Sequence, residues 1–576
     1  LVQARMDRLR TVDKEALQAA SIIGQRFTLE ALRHLLGDPD YDCSSLEQHH
    51  LVSPEGESYL FAHALVREGV YASLLTDRRR SLHREAAQWF ANQDLELRAE
   101  HLDRAGDSRA VAAYCEAAAA QAAAYRFESA LGLIVRGLDL AEDAGQRSAL
   151  TCLRGDLLHD SGDTRGAIET YTEARDLAVD ELQRCKAEIG FAAGMRIVDR
   201  YDEAFAALAR AEPVATTHGL HLQLAKLHYL RGNLHFPLGE IGRCEEEHNN
   251  ALECARKAGS PEWEAQALGG LADAAYARGH LITADGYLDQ CFELCRRHGF
   301  GRIEVANLLM KGGGGTNFYR GDLKAALQSS LEADEMARAV GHDRAAIIAH
   351  SACYLSFFAM GEMTRAQSHV EQGKELIEKI GARRFMARAL QYEGKIALWE
   401  GHRVEALATF HEALAISRET GIGYLGPSLL ADIAYATEDA EERRAALAEG
   451  EVLLQGGAVS HNYFEFYSLA IDTSLKSQNW AEAERYAAAL EDYTHQEPLA
   501  VCDLLIARAR ALAAVGRGRC DAEILAEVHR LRAEAERIGL TTALPALDEA
   551  LRVTAHPTAH CSGGRNDGQR ADAEER

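Results

Sequence analysis

The chain has 576 residues, of which 47% are hydrophobic and 26% are charged, so it is long enough for several domains or for one extended array. Its 9 prolines and 47 glycines, together with abundant alanine and leucine, favour helices joined by glycine-ended turns over a sheet-rich fold. The formal net charge of -25 repels phosphate backbones, which argues against nucleic acid as a partner and favours protein.

The sequence lacks the features of an exported or membrane protein. Its 12 cysteines are scattered, with no C-x-x-C pair and without the regular spacing of a disulfide framework. No run of 18 or more apolar residues and no signal segment occurs in it. We therefore expect a cytoplasmic location and no membrane partner. Because the first residue is Leu1 rather than Met, we also expect an upstream part of the protein.

The first 91 residues are predicted to combine short helices with one hairpin. Three helices precede the hairpin, Leu51–Phe61, and two follow it. The predicted helices span residues 13–23, 28–36, 43–50, 64–75 and 77–90. Three helices and a β hairpin outline a winged-helix-like domain. DNA binding is not expected of it, because the helix that would enter the groove, Ser44–His50, contains no Arg or Lys.

A repeat of about 40 residues follows this segment. Small residues recur at steps of 37 to 42 residues, and we use them as anchors: Ala130, Ala167, Ala204, Cys244, Ala284, Ala326, Ala366, Ala406, Ala446 and Ala483. Twelve residues before the anchors, eight of the ten positions are Gly or Ala. Two antiparallel helices nest closely only where the side chains at their crossing are small, so both sets are predicted to lie in the packed core.

Glycines mark the turns of each unit. One set lies five residues before an anchor, as at Gly239, and is predicted to separate the two helices. A second set lies fifteen residues after an anchor, as at Gly145 and Gly259, and is predicted to end the second helix. Bulky residues one helical turn after an anchor, such as Phe410, are predicted to fill the gaps beside the small ones. The units of Ala446 and Ala483 depart from the pattern, with Gly450 where bulk is expected and with Leu453 and Leu490 where small residues are expected.

These offsets resemble those of the tetratricopeptide repeat, here lengthened from the usual 34 residues. The match is clearest in residues 387–421, where Gly394, Ala406, Phe410 and Ala413 stand in the family's places. The resemblance implies an all-α, tetratricopeptide-like α-solenoid of paired helices behind the winged-helix-like domain.

The patterns divide the chain into four parts. We expect a winged-helix-like domain over residues 1–91, tetratricopeptide-like repeats over residues 92–498 and a terminal helical pair over residues 499–554. Residues 555–576 are polar and poor in bulky apolar side chains, so we expect a disordered tail.

The resemblance also implies that the first helix of each unit lines a concave groove. Counting fifteen, eleven and eight residues before the anchors selects the candidates Tyr229, Asn233, Phe236, Asp273, Tyr276, Lys311, Phe318, Phe358, Gln391 and Lys395. Aromatic rings among amide and charged groups suit recognition of a protein or peptide. The alternative is that several of these side chains are buried between repeats.

The N-terminal segment resembles the region that follows the nucleotide-binding domain in STAND-class signalling ATPases. The matching stretches are Leu1–Leu9, Ala16–Gly24 and Phe61–Tyr71, and they are most similar to bacterial proteins that combine an adenylate or guanylate cyclase, an AAA-type ATPase and tetratricopeptide repeats. In the wider class, a histidine in a Phe-x-His-x-Leu motif lies near the diphosphate of ADP.

The resemblance therefore implies that His63 is an ADP sensor that acts together with an upstream nucleotide-binding domain. ATP or ADP would be a cofactor of the parent protein and not of this chain. The alternative is a hydrogen-bonded structural histidine that joins the hairpin to the next helix.

Two other motifs have structural explanations. Lys311–Thr316 is rich in glycine but lacks the order of a P-loop, so close helix packing is expected there instead of phosphate binding. Cys291, Cys295 and His298 share a helical face, but a zinc site would need a fourth ligand, and core cysteines explain the pattern. We expect neither a metal site nor catalytic residues.

The sequence thus predicts a non-catalytic regulatory and protein-interaction arm of a nucleotide-dependent signalling protein. Its repeats would sense a partner or ligand, and its winged-helix-like domain would relay that state to an ATPase domain. Two alternatives stay open. The chain could be a fragment of an adenylate or guanylate cyclase, or of an ATP-dependent transcriptional activator whose catalytic or DNA-binding part lies elsewhere.

Overall fold

The structure is a computed structural model that describes residues 5–312 and 315–555. Within these ranges the chain is helical apart from one small sheet, which confirms the predicted all-α solenoid. The predicted disordered tail beyond residue 555 and the packing position predicted for Gly314 lie outside the described residues.

From Thr11 to Trp89 the chain forms five helices and three strands. They are α1 (Thr11–Ile23), β1 (Arg26–Thr28), α2 (Leu29–Leu36), α3 (Ser44–Gln48), β2 (Val52–Glu55), β3 (Ser58–Phe61), α4 (Ala64–Ala72) and α5 (Thr76–Trp89).

The remaining helices come mostly in pairs. The first of them are α6 (Leu95–Arg104), α7 (Ala110–Ala123), α8 (Phe127–Leu140), α9 (Ala144–Asp160), α10 (Thr164–Leu177), α11 (Glu181–Ile197), α12 (Tyr201–Thr217), α13 (His221–Leu238), α14 (Ile241–Ala258), α15 (Pro261–Ala277), α16 (Leu281–His298), α17 (Gly301–Leu308) and α18 (Thr316–Tyr319). They are followed by α19 (Leu323–Ala339), α20 (Asp343–Ala359), α21 (Met363–Ile380), α22 (Arg383–Trp399), α23 (Arg403–Thr420), α24 (Ile422–Ala436), α25 (Ala440–Gly456), α26 (Ser460–Lys476), α27 (Trp480–Thr494), α28 (Ala500–Gly516), α29 (Ala522–Ile538) and α30 (Leu544–Ala555). Residues 499–554, which were predicted to form one helical pair, contain the three helices α28, α29 and α30.

The small sheet has the strand order β1-β3-β2, with both pairings antiparallel. The predicted hairpin is present, with Val52 opposite Phe61 and the turn at Gly56. Strand β1 was not predicted, because three residues are too few to display an alternating pattern. Phe27 on β1 and Phe61 on β3 are buried together in the core of this segment.

The chain divides into two compact units that do not coincide with the predicted boundary at residue 91. One unit contains the described residues up to Ser161 together with Glu169–Ala187, and the other contains Gly162–Ile168 and the described residues from Glu188 onward. The division of the chain at residue 91 stays a prediction.

Within the first unit, hydrogen bonds between buried histidines join helices on the two sides of residue 91. The Tyr71 hydroxyl lies 3.0 Å from Nε2 of His83, whose Nδ1 lies 2.9 Å from Nδ1 of His101. Burial lowers the pKa of His83 to about 3 and that of His101 to about 4, so both rings are neutral at physiological pH and can share one proton in a hydrogen bond. These contacts join α4 and α5 to α6.

The anchors lie where the repeat pattern predicts them. All ten are buried, and each lies near the start of the second helix of its pair. Small residues of the first helix make room for bulky ones on the second: a Cβ atom at Gly394 would overlap the ring of Phe410, and one at Gly232 would lie 2.7 Å from the ring of His248. In the unit of Ala446 the small residue, Gly450, is on the second helix α25. The bulky residue, Phe466, comes from the following helix α26 and packs onto it.

The turn five residues before an anchor requires a left-handed backbone. Its six glycines have φ between 77° and 90°: Gly162, Gly239, Gly279, Gly321, Gly361 and Gly401. Tyr125, Asp199 and Gln478 occupy the same position in other units and also have positive φ, at 59°, 59° and 55°. The turn geometry therefore overrides the steric preference of the residue that occupies it.

The prediction for Gly145 was wrong. It lies within the first turn of α9, because α8 already ends at Leu140 and Asp143 caps α9 by accepting a hydrogen bond from the backbone N–H of Gln146.

We predict that Gln478→Gly stabilises the protein by about 1 kcal/mol, because glycine removes the steric cost of positive φ at an exposed turn. The reverse substitution at the matching turn, Gly401→Gln, should destabilise it by a similar amount, since no neighbouring atom lies near a Cβ there. Urea unfolding midpoints measure both effects. Shifts of the same sign in the two variants would contradict the prediction.

Candidate binding surface inside the repeats

Within the second unit the solenoid coils until one superhelical turn touches the next. The Arg384 backbone N–H donates to Asp199 Oδ2 at 2.8 Å, and the Ile282 backbone N–H donates to Glu497 Oε2 at 2.7 Å. These partners are 185 and 215 residues apart in the chain. A Cβ atom at Gly239 would lie 2.6 Å from the carbonyl oxygen of Gly457, so the two turns are in close contact.

The contact between turns encloses the face that the first helices present to one another. We call this face the inner surface, and the helices that supply it are α11, α13, α15, α20, α22, α24 and α26.

A network of charged side chains crosses the inner surface. Arg388 of α22 donates to Glu465 of α26 at 2.9 Å, and Lys395 donates to the same carboxylate at 3.0 Å. Gln391 lies between them, where it accepts from Arg388 at 2.7 Å and donates to Asp432 of α24 at 2.6 Å. We call these five residues the ion network.

The ion network is nearly dry. The side chains of Arg388, Glu465 and Lys395 are only 8%, 13% and 15% exposed. Burial acts to raise the pKa of Glu465, but Arg388 and Lys395 outweigh it and hold that pKa at about 2. Burial raises the pKa of Asp432 to about 6, although Lys395 opposes the shift. Glu465 is therefore the carboxylate that compensates the two cations.

Aromatic residues continue the inner surface beside this network. Burial lowers the pKa of His461 to about 3, so its ring is neutral. Its Nε2 lies 2.6 Å from the carbonyl oxygen of Tyr424, which can only accept, so Nε2 carries the proton and Nδ1 accepts from the Tyr276 hydroxyl at 3.3 Å. The ring of Phe236 lies 6.5 Å from that of Tyr424. Contacts between superhelical turns thus bring Phe236 and Tyr276 to α24 and α26.

Two of the predicted groove residues do not line the groove. Gln391 is fully buried, because Asp432 and Glu465 pack against its amide. Lys311 is directed towards the second helix α16, where its ammonium lies 3.1 Å from Asp285 and 2.9 Å from Asp289. The α-helix ends at Leu308 and Leu309–Lys311 form a 3₁₀ turn, so counting along an unbroken helix misplaces Lys311.

The other candidates are half-buried and already have intramolecular contacts. Tyr229 packs between His248 and Trp263, and Asn233 donates to the Tyr229 carbonyl at 3.1 Å. Phe358 stacks on Tyr354 of its own helix, and Phe318 packs on Tyr319. Contacts within the protein therefore engage Tyr229, Asn233, Phe318 and Phe358, while Phe236, Asp273, Tyr276 and Lys395 lie at the inner surface; a role in binding stays a prediction for all of them.

Much of the inner surface was not predicted, because the count began only fifteen residues before each anchor. Further residues lie on the same helical face one to two turns earlier. Eighteen residues before an anchor stand Arg388 and Glu465. Twenty-two residues before an anchor stand Arg344, Arg384, Tyr424 and His461. Offsets of 22, 18, 15, 11 and 8 residues lie on one helical face, so extending the count would have found these residues. Arg196 stands at the eight-residue offset and was not selected.

His63 is exposed at the start of α4. Its Nδ1 accepts a hydrogen bond from the Leu65 backbone N–H at 3.2 Å, so the side chain caps this helix. That contact favours the structural alternative, and the ADP-sensing role stays a prediction.

The cysteine motif is part of a packed core. Cys291 and Cys295 are buried beside Leu268, with their Sγ atoms 3.9 Å apart, and the exposed His298 stacks on Phe300. In the described part of the chain, no three potential metal ligands lie close together.

Among the described helices, none is both long enough and apolar enough to cross a bilayer.

Comparison with known proteins identifies a shared fold. No protein-family model matches the chain, and a search of curated proteins gives no significant match. A STAND protein with a tetratricopeptide repeat sensor from Pyrococcus horikoshii superposes with a TM-score of 0.50 at 15% identity, over 74% of this chain and 65% of its own. The chain therefore spans slightly less than two thirds of that protein's length.

Two further solved structures are similar over much of their length. A Rap protein in complex with competence and sporulation factor aligns over 61% of this chain and 98% of its own, with 14% identity and a TM-score of 0.47. The Cut9-Hcn1 hetero-tetramer of the APC/C aligns over 86% and 93%, with 14% identity and a TM-score of 0.44. The chain adopts a tetratricopeptide-like solenoid fold.

We predict that Glu465→Gln destabilises the protein by about 3 kcal/mol at pH 7, because it leaves two buried cations without their carboxylate. The pKa of Glu465 falls from about 4.5 to about 2 on folding, so its stabilisation is complete above the higher value and is lost as the pH falls towards the lower one. The gap between wild type and variant should shrink over that range.

Unfolding free energies measured from pH 7 down to pH 3 test this prediction. Glu449→Gln is the matched control, because Glu449 pairs with Arg418 in the open and its loss should cost less than about 1 kcal/mol. If both variants lowered the free energy of unfolding by the same amount, Glu465 and its two cations would not be removed from water, and the prediction would be wrong.

Proposed function

We propose that this chain is a non-catalytic interaction arm of a nucleotide-dependent signalling protein, and that its inner surface receives a peptide or a segment of a protein. The observation that carries the proposal is the composition of the inner surface, where tyrosine, phenylalanine, arginine and lysine from several first helices face one enclosed space. Tyrosine and arginine are among the side chains that supply most of the binding energy in protein recognition.

The fold supports the same proposal. A solenoid buries its core between neighbouring repeats and leaves an extended inner surface available for ligands. The STAND protein that shares the fold has a tetratricopeptide repeat sensor, and a sensing role for the repeats of this chain is carried over from it as part of the proposal.

The N-terminal segment would relay the state of the repeats to a neighbouring nucleotide-binding domain. Three strands and several short helices support a winged-helix-like domain, and Leu65 in the first turn of α4 and Leu75 just after α4 are 64% and 80% exposed. Exposed leucines at the two ends of α4 suit a protein neighbour. The cyclase and the transcriptional activator remain alternative parents for the same arm.

Peptide selection tests the proposal for the inner surface. We expect a displayed random peptide library to yield ligands that the purified chain binds with micromolar Kd in fluorescence anisotropy. Phe236→Ala should weaken that binding at least tenfold, because it removes a ring that faces the inner surface. Val452→Ala, on the exposed side of a second helix, should leave Kd unchanged.

Thermal unfolding of both variants establishes that they are folded. The proposal would be refuted if no peptide is selected, or if the selected peptides bind wild type and Phe236→Ala equally well.

Calorimetric titration with ATP and with ADP tests the non-catalytic assignment. We expect no binding at micromolar nucleotide, since the glycine-rich segment lacks the order of a P-loop. Micromolar affinity for either nucleotide would favour an NTP-dependent enzyme instead.

A further inference from the structure

Three arginines from three different first helices meet at the inner surface. They are Arg196 of α11, Arg344 of α20 and Arg384 of α22. The guanidinium carbons of Arg344 and Arg384 each lie 5.0 Å from the centroid of the Phe385 ring, which makes them neighbours. Arg196 is close enough for its charge to lower the pKa of Arg344, after burial as the larger cause.

These arginines keep donors without acceptors. Arg384 is 5% exposed; its Nη1 donates to the Tyr201 hydroxyl at 3.0 Å, whereas its Nε has no partner. Nε of Arg196 and Nη1 of Arg344 are also buried and have none. In the described part of the chain, no carboxylate oxygen lies within 4.0 Å of a guanidinium nitrogen of the three.

The nearby acids do not complete the site. Asp199 already accepts the Arg384 backbone N–H and the Tyr201 hydroxyl, each at 2.8 Å. Burial raises the pKa of Asp273 to about 7, although Arg344 and Arg196 oppose the shift, so this carboxyl is only partly ionised near neutral pH. Two carboxyl groups at longer range thus face three cations.

The electrostatics of the arginines agree with this imbalance. Burial lowers the pKa of Arg344 to about 9, and repulsion from Arg196 and Arg384 adds to the shift. Burial also opposes the charge of Arg384, but Tyr201 and Asp199 raise its pKa, so Arg384 stays protonated. An anion placed among the three would relieve this repulsion.

Several other buried or partly buried arginines in the described part of the chain have carboxylate partners. Arg231 bonds to Glu212 and Glu247, Arg388 bonds to Glu465, and Arg508 bonds to Asp472. Three neighbouring arginines that keep buried donors and have no ion pair differ from these paired ones.

We propose that Arg196, Arg344 and Arg384 form a binding site for an oxyanion, a carboxylate or phosphate group carried by a ligand at the inner surface. Planar guanidinium groups with free N–H donors bind both groups through charge-assisted, often bidentate hydrogen bonds. The inference deepens the proposed function, because it assigns an acidic group to the ligand of the same surface, but it can fail separately.

Anion titrations of the full chain test the site. Inorganic phosphate and succinate are added at constant ionic strength, and binding is measured by calorimetry and by the shift in Tm. We expect saturable stabilisation by at least one of them, and the tighter of the two distinguishes a phosphate from a carboxylate ligand. The absence of saturable binding by both would overturn the proposal.

Arg344→Gln separates a binding role from a structural one. We expect this variant to be at least as stable as wild type without anion, because it removes repulsion, and to bind the anion at least tenfold more weakly. The control Arg231→Gln should lower Tm, because Arg231 is paired, and should retain the anion affinity. A variant Arg344→Gln that is destabilised as much as the control, or that keeps the anion affinity, would contradict the site.

The selected peptides distinguish this inference from the proposed function. Peptides that bind wild type and Arg344→Gln equally would support the peptide-binding surface and refute the oxyanion site. Anion binding that depends on Arg344, without any selected peptide, would support the site and refute the peptide-binding surface.

Discussion

Successive turns of the superhelix touch each other where a loop between the two helices of one unit meets a loop between two later units, and the enclosed inner surface depends on this contact. The loops can approach so closely because their residues take positive φ and present little side chain, as Gly239 does against Gly457. Side chains of the first helices are therefore removed from water on a face that an open solenoid would leave solvated.

Desolvation determines how the charges of the inner surface behave. Coulomb interactions strengthen as water is excluded, so Arg388 and Lys395 hold Glu465 ionised although it is buried. The same exclusion makes an incomplete arrangement costly, as it is for Arg196, Arg344 and Arg384. One part of the inner surface thus supplies its own counter-charge, whereas a neighbouring part keeps buried guanidinium donors without a carboxylate partner.

The net charge of -25 makes this contrast sharper. Acidic residues dominate the chain as a whole, whereas Arg196, Arg344 and Arg384 meet at one part of the inner surface without an ion pair. A low-dielectric site with an excess of one sign of charge focuses its field on ligands of the opposite sign. An anionic group on a ligand would therefore find its most favourable place inside the repeats.

The sequence by itself determined the repeat, its helix pairs and its turns, because these depend on residues close together in the chain. Small residues at a helix crossing and a left-handed turn leave a mark at constant offsets, and the ten buried anchors follow it. The position predicted for Lys311 was wrong because the helix on which the count relied ends at Leu308. Phe466 on Gly450 shows that the bulk missing from one helix can come from the next.

Only the tertiary structure decided which residues meet at the inner surface. Tyr276 with His461 and Asp199 with Arg384 are 185 residues apart, about one superhelical turn. The pitch that joins them is the sum of small rotations between many repeats, and no local pattern records that sum. The burial of Gln391 and the lack of an ion pair at Arg344 also depend on these summed rotations. The rotations determine which helices that are distant in sequence lie close enough to supply a hydrogen-bond or ion-pair partner.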